Sequence, residues 1–244
     1  MKTFALTILL LLPGCIFAQE PIPAGTALPV ILNNTLSTKN STPGQKISAR
    51  VMQDVPLQDG KVIHAGARLI GHVVEVSPLA NGAGSRITFQ FDSLVFSKKT
   101  VPIRVNLRAL ASPIEVDSAQ IPDTGPDRGT PPNAWTTEQI GAETVYRGGG
   151  HVISAGQVVG EPVANGVLAR LSAGPGSPCR GEVDGNDRFQ AVWVFSSDAC
   201  GLYGYSQLAI VHAGRTNPVG EITLSSHNPE LRVWKSSGML LRVL

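Results

Sequence analysis

Strict two-residue alternation of apolar and polar side chains constrains this chain most. Over residues 86–91, Ile87, Phe89 and Phe91 alternate with Arg86, Thr88 and Gln90. Over residues 101–109, Val101, Ile103, Val105, Leu107 and Ala109 alternate with Pro102, Arg104, Asn106 and Arg108. Successive strand side chains point to opposite faces, so each run predicts a strand with one face on a core and the other in water. Ser97-Lys98-Lys99-Thr100 lies between the runs and reads as a hairpin turn with a charged tip. Further strands are expected over residues 26–32, 46–52 and 68–76. Their close spacing, punctuated by Pro43-Gly44, Asp59-Gly60 and Asn81-Gly82, suggests a small barrel or sandwich.

Composition agrees. The 26 Gly and 18 Pro in 244 residues leave little room for long helices, and 16% charged residues is low against about 25% for an average soluble domain. A net charge of +2 lacks the basic bias of a nucleic-acid binder. Collagen, coiled-coil and multi-span membrane classes are excluded by the same pattern.

The first residues read as an address. Lys2, an apolar run from Phe4 to Leu12 and Ala18-Gln19 form a secretory signal over residues 1–18, with an apolar core short of the ~20 residues that span a bilayer. Two cleavage readings compete. Cutting after Ala18 releases a soluble periplasmic or secreted protein. Leu12-Pro13-Gly14-Cys15 resembles a bacterial lipobox, which makes Cys15 a lipidated first residue and the protein an outer-membrane lipoprotein. No second apolar segment of spanning length follows. Export leaves Cys179 and Cys200 as an even pair in an oxidising compartment, where a disulfide is expected. A metal pair and two free thiols are the alternatives, and neither Cys has a CxxC partner or a nearby His.

A phrase recurs along the chain: IPAGTAL at Ile22, IHAGARL at Ile63, ISAG at Ile153 and VHAG at Val211. Each supplies a β residue, a bend and a Gly able to take positive φ. Sustained self-similarity is missing, so no solenoid is expected. Residues 19–111 read as a first β domain. Residues 112–150 carry Pro113, Pro122, Pro126, Pro131, Pro132 and Gly148-Gly149-Gly150, and read as a linker or excursion with one helical turn near residues 138–144. A second β module follows over 151–230, with strands expected at 152–159, 167–171, 190–195, 208–212 and 221–224. Residues 231–244 form a terminal strand. Trp193 shares a strand face with Ala191 and Phe195 and is expected in a core.

The stretch from Ile22 to Val105 resembles the periplasmic β-barrel of the TrbI family, the channel-scaffold component of type IV secretion and conjugation machines. The resemblance rests on an ordered set: IPAGTALP from Ile22, Pro43-Gly44-Gln45, Ala49-Arg50-Val51, Asp54-Val55, IHAGARLIGHV from Ile63, GSRITFQFDSL from Gly84 and Pro102-Ile103. SSGMLLRVL, ending at Leu244, is similar to the family's closing barrel strand. The resemblance implies that the last strand returns to the first domain. It also implies a scaffold without catalytic residues. A cleavable signal replaces the family's cytoplasmic tail, membrane helix and Pro-rich spacer. The 112–228 segment is too polar and Gly-rich for its membrane insertion. A free-standing exported relative is the resulting expectation.

Catalytic patterns are weak. Of five histidines, His64, His72, His151, His212 and His227, none forms an HExxH or a close pair. Around Ser206, Gly204-Tyr205-Ser206-Gln207-Leu208 lacks the fifth-place Gly of a nucleophile elbow. Gly82-Ala83-Gly84 opens no helix and reads as a hairpin turn rather than a dinucleotide loop. Asp184-Gly185-Asn186-Asp187 has ligand-like oxygens without the later Glu of an EF-hand, and an Asx turn is the plainer reading. A disulfide between Cys179 and Cys200 would draw Asp184, Asp187, Asp198, Tyr203 and Tyr205 together as a candidate ligand loop, with a stapled surface loop as the alternative. No cofactor or metal is expected. The leading expectation is an all-β, non-catalytic envelope protein that contacts a protein partner or itself. Its alternatives are a secreted module binding glycan, peptide or Ca²⁺, and a hydrolase assembled from distant loops.

Overall fold

The computed structural model describes residues 22–78, 84–122, 136–146, 150–154, 156–174, 176–179 and 188–244. The first half contains β1 (Ala27–Leu32), β2 (Leu36–Ser37), β3 (Lys46–Val51), β4 (Val55–Pro56), β5 (Val62–Ile63), β6 (Arg68–Ser77), β7 (Ser85–Phe96), β8 (Lys99–Pro102) and β9 (Val105–Ala111). A short helix, α1 (Pro113–Ser118), precedes β10 (Thr136–Glu138), β11 (Thr144–Tyr146), β12 (Val152–Ser154), β13 (Gln157–Val163), β14 (Gly166–Arg170) and β15 (Phe189–Ala191). The chain ends through β16 (Gly201–Tyr203), β17 (Leu208–His212), β18 (Glu221–Ser226), β19 (Arg232–Val233) and β20 (Gly238–Val243).

The all-β reading holds. A ten-stranded sheet runs β16-β9-β20-β1-β3-β6-β7-β18-β17, with β8 on β7, and curls into a nearly closed barrel. Every neighbouring pair is antiparallel except β16 with β9. The seam comes together where Leu107 N–H donates to the Ala213 carbonyl at 2.8 Å. The C-terminal strand closes the first domain: β20 pairs with β1 on one side and β9 on the other. Strands β16, β17 and β18, from the span assigned to the second module, also belong to this sheet.

Alternation explains the barrel interior. Leu28, Val30 and Leu32 of β1, Ile47 and Val51 of β3, Phe89 and Phe91 of β7, and Met239 and Leu241 of β20 share one buried cluster. Phe89 and Phe91 meet edge to face with centroids 6.1 Å apart. Gly25 and Gly66, from the two long copies of the recurrent phrase, both take positive φ just before β1 and β6. At the hairpin tip Ser97 and Lys98 take positive φ, the backbone of a two-residue turn matched to strand twist.

A second layer covers the outside of β1, β20 and β9. It consists of the antiparallel sheet β12-β13-β14-β15, the hairpin β10–β11 and α1. Its contact is a separate apolar cluster that includes Ala27, Ala109, Ala111 and Leu240 from the barrel, and Val116, Val145, Val167, Trp193 and Phe195 from the layer. Small outward residues let the layer approach. A Cβ on Gly238 would lie 2.8 Å from Val116 Cγ2 and 3.3 Å from Phe195.

Several expectations are corrected. The 101–109 run is not one strand: it breaks at residues 103–104 into β8 and β9. Its polar face is not in water throughout, since Asn106 and Arg108 are buried, Arg108 against the carbonyls of Ser172, Ser197 and Ala199. Within 112–150, α1 is capped by Ser112, whose hydroxyl accepts from Glu115 N–H. The expected helical turn at 138–144 is the reversal of the β10–β11 hairpin, with Gly141 and Ala142 at positive φ. The strand expected over 152–159 is divided between β12 and β13. The strand expected at 190–195 stops at Ala191. Trp193 itself is buried, as expected, but in a turn with φ of 53°.

Candidate functional site

Two places concentrate polar side chains. The first surrounds the disulfide. Cys179 and Cys200 are bonded, with Cα atoms 6.0 Å apart. Cys200 N–H donates to the Tyr203 hydroxyl at 3.0 Å, and Asp198 accepts from Ser196 Oγ at 2.7 Å. Burial raises the Tyr203 phenol above its ordinary value, and the Asp198 charge pushes the same way, against the Cys200 hydrogen bond and Arg108. Asp198 and Tyr203 therefore share an environment. Tyr205 does not join them: its hydroxyl bonds Ser237 Oγ at 2.6 Å and accepts Trp234 N–H at 3.1 Å, within the barrel core cluster. Asp184 and Asp187 lie outside the described residues, as does Cys15.

Beside Cys179 lies a set of buried polar side chains that sequence reasoning missed. Arg108, 1% exposed, donates from Nε to the Ala199 carbonyl at 3.0 Å and from Nη2 to those of Ser197, at 3.3 Å, and Ser172. Glu143 accepts from Ser197 Oγ at 2.6 Å. Gln53 donates to the Val167 carbonyl at 2.8 Å while its Oε1 accepts from Val167 N–H and Trp193 N–H. Gln190 Oε1 accepts from Ala27 N–H. Gln53, Arg108 and Gln190 satisfy backbone groups across the interface between the barrel and its outer layer, so their chemistry is that of clamps. Available sequence signals were weak. Arg108 sat in an apparently solvent-facing position of an alternating run, and only Ser112-Pro113-Ile114-Glu115, with the spacing of a capping box, marked the nearby helix.

The second place is a cleft of 690 Å³ on the barrel wall, lined by Gln90, Asp92, Pro102, Arg104, Val219 and Glu221 among others. His72 stands beside it, its Nδ1 2.8 Å from Asp92 Oδ2. Three other histidines have local partners: His64 pairs with Asp54, His151 with Glu161, and His212 contacts the Glu221 carbonyl and Thr216. Ser206 Oγ donates to Gln207, with no histidine on it among the described residues. Among the described residues no group of three His, Cys, Asp or Glu side chains is placed to hold a metal ion, and no helix is long and apolar enough to cross a membrane.

The fold and these sites define an all-β protein: a nearly closed barrel with an outer layer and one disulfide, Cys179–Cys200. Comparison with protein-family models and with curated proteins finds no match.

Proposed function

We propose that this is an exported, non-catalytic envelope protein whose barrel acts as a scaffold or assembly module, as a free-standing relative of the TrbI-type barrels. The supporting observation is where the resemblance falls. Its ordered phrases form β1, β3, β6 and β7 with their leading turns, and its closing phrase forms β20, inserted between β1 and β9. Secretion through the signal-like residues 1–18 accords with the disulfide, because such bonds persist in oxidising compartments. Gln53 and Arg108, both almost fully buried, clamp backbone across the two layers.

Solution mass tests this reading. Size exclusion with light scattering on the chain from Gln19 to Leu244, under oxidising conditions, is expected to show a closed ring of subunits or a defined larger assembly. A clean monomer at every concentration would leave the barrel without an assembly role and reject the self-association arm. Crosslinking in the native envelope would then have to yield a specific partner, and failure there would reject the scaffold reading altogether.

A further inference from the structure

The wall cleft lies where β18 and β8 share one edge of β7: β18 pairs residues 85–90, and β8 pairs residues 93–96. Strand register sets His72, Gln90 and Glu221 side by side across β6, β7 and β18. Asp92 lies two residues along β7, on the same face as Gln90. Its carboxylate is held from both sides, by His72 Nδ1 and by Gln90 Nε2, each at 2.8 Å.

Arg104 comes from the short link between β8 and β9. Its stem runs along Gly220, where an added Cβ would meet Arg104 Cβ at 3.6 Å. Among the described residues its guanidinium makes no hydrogen bond and has no carboxylate within 4.0 Å, although Asp92 and Glu221 line the same cleft. The Arg104 guanidinium and the side-chain carboxylates of Asp92 and Glu221 therefore line one opening without pairing, beside Leu244, whose N–H donates to the Arg104 carbonyl at 3.0 Å.

That arrangement suits a molecule carrying both charges at separate ends. Guanidinium groups take carboxylates through two parallel hydrogen bonds. An ammonium offers three donors, which oxygens of Asp92 and Glu221 can accept. Pro102 and Val219 add apolar wall, and Gln90 adds an amide. A volume of 690 Å³ falls in the range of small-molecule pockets. We propose that this cleft binds short peptide zwitterions, with the C-terminal carboxylate on Arg104 and the N-terminal ammonium at Asp92 and Glu221. The proposal goes beyond the scaffold reading and does not depend on assembly.

The test is a titration of the full exported chain with L-alanyl-L-alanine, followed by backbone amide NMR. Saturable shifts are expected at Gln90, Asp92, Arg104, Gly220 and Glu221, with a Kd of about 1 mM or tighter. N-acetylation or C-amidation of the dipeptide, and the variants Arg104→Gln and Glu221→Gln, should each weaken binding about tenfold. Thermal melting of the variants should match that of the parent, because neither side chain is buried. No saturable shift up to about 10 mM would overturn the proposal. So would binding that both variants leave intact, an equal response to acetate or methylammonium alone, or free alanine binding as tightly as the dipeptide.

Discussion

The barrel interior and the layer packed on its outside are built by different rules. Inside, apolar side chains at alternate positions of β1, β3, β7, β18 and β20 meet one another, and Tyr205 joins them through its bonds to Ser237 and Trp234. Outside, Ala27, Ala109, Ala111 and Gly238 keep the barrel surface low, and Gln53, Arg108 and Gln190 reach across to the backbone of the other layer. An outward position on a strand is thus not a wet one once a second layer covers it. Burial energy dominates inside; satisfying polar groups matters as much outside.

The largest expected effect tests how rigid the two regions are. A Cβ on Gly71 would lie 1.9 Å from the Gln90 carbonyl and 2.8 Å from Phe91 Cα, so β6 and β7 would have to separate. Gly71→Ala should destabilise the protein by about 3 kcal/mol or more. Gly238→Val meets side chains of the outer layer rather than backbone, and should cost about 1–3 kcal/mol. Urea unfolding of both variants decides the matter. Equal losses would mean that the outer layer yields no more than the barrel, and the contrast would fail.

Neighbouring residues of β9 sharpen the same contrast. Leu107 faces the barrel core and Arg108 the outer layer. Leu107→Ala should cost about 2–5 kcal/mol through lost burial and a cavity. Arg108→Met keeps the bulk but removes the donor shared by the carbonyls of Ser172, Ser197 and Ala199, at a cost of about 3 kcal/mol. The two should differ in form as well. Loosening of the outer layer in Arg108→Met should shift the fluorescence of Trp193 at lower urea than the far-ultraviolet signal of the strands. A single coincident transition would show that layer and barrel unfold as one unit.

These cases also show what was legible in the sequence. Strands β1, β3, β6 and β17 could be read within a residue or so, because a barrel with a dry inside imposes alternation on every strand. The cysteine pair was legible from its even count and from the export expected of residues 1–18. Arg108 was not, because the segments that bury it, at Ser172 and Ser197–Ala199, are far along the chain and leave no periodic mark. The expected strand at 190–195 failed for a related reason. Residues 191–195 are buried on all sides, so their apolar run records the interlayer core rather than a strand. Of the candidate loop, Asp198 and Tyr203 are brought together, whereas Tyr205 is drawn into the barrel by Ser237 and Trp234. No local pattern distinguishes two tyrosines one residue apart from a shared glycine.

The disulfide staples the outer region to the start of β16, on the edge of the barrel sheet. Removing it in the paired Cys179→Ser, Cys200→Ser variant frees the loop between them, with an expected loss of about 3 kcal/mol. Since Cys179 packs beside Arg108, with its Sγ 3.6 Å from the Arg108 carbonyl, the loss should be smaller when Arg108→Met is already present. Additive losses in the double-mutant cycle would show that staple and clamp act independently.

The smallest effect separates the two tyrosines by pH. Burial raises both phenols above the ordinary value of 10.0. A proton is therefore held more tightly in the folded chain than in the unfolded one. Stability from this source is fully present below pH 10 and is lost as pH rises through the folded values. In Tyr205, burial is opposed by hydrogen bonds from Ser237 and Trp234. In Tyr203 the Asp198 charge reinforces burial. Asp198→Asn should consequently lower the alkaline titration of Tyr203, leave that of Tyr205 in place, and soften the fall of the urea midpoint above pH 10. The tyrosinate absorbance of Tyr203→Phe and Tyr205→Phe assigns the two titrations. If Asp198→Asn moves the titration that Tyr205→Phe removes, the carboxylate acts on the barrel tyrosine, and the division between the two regions does not extend to their charges.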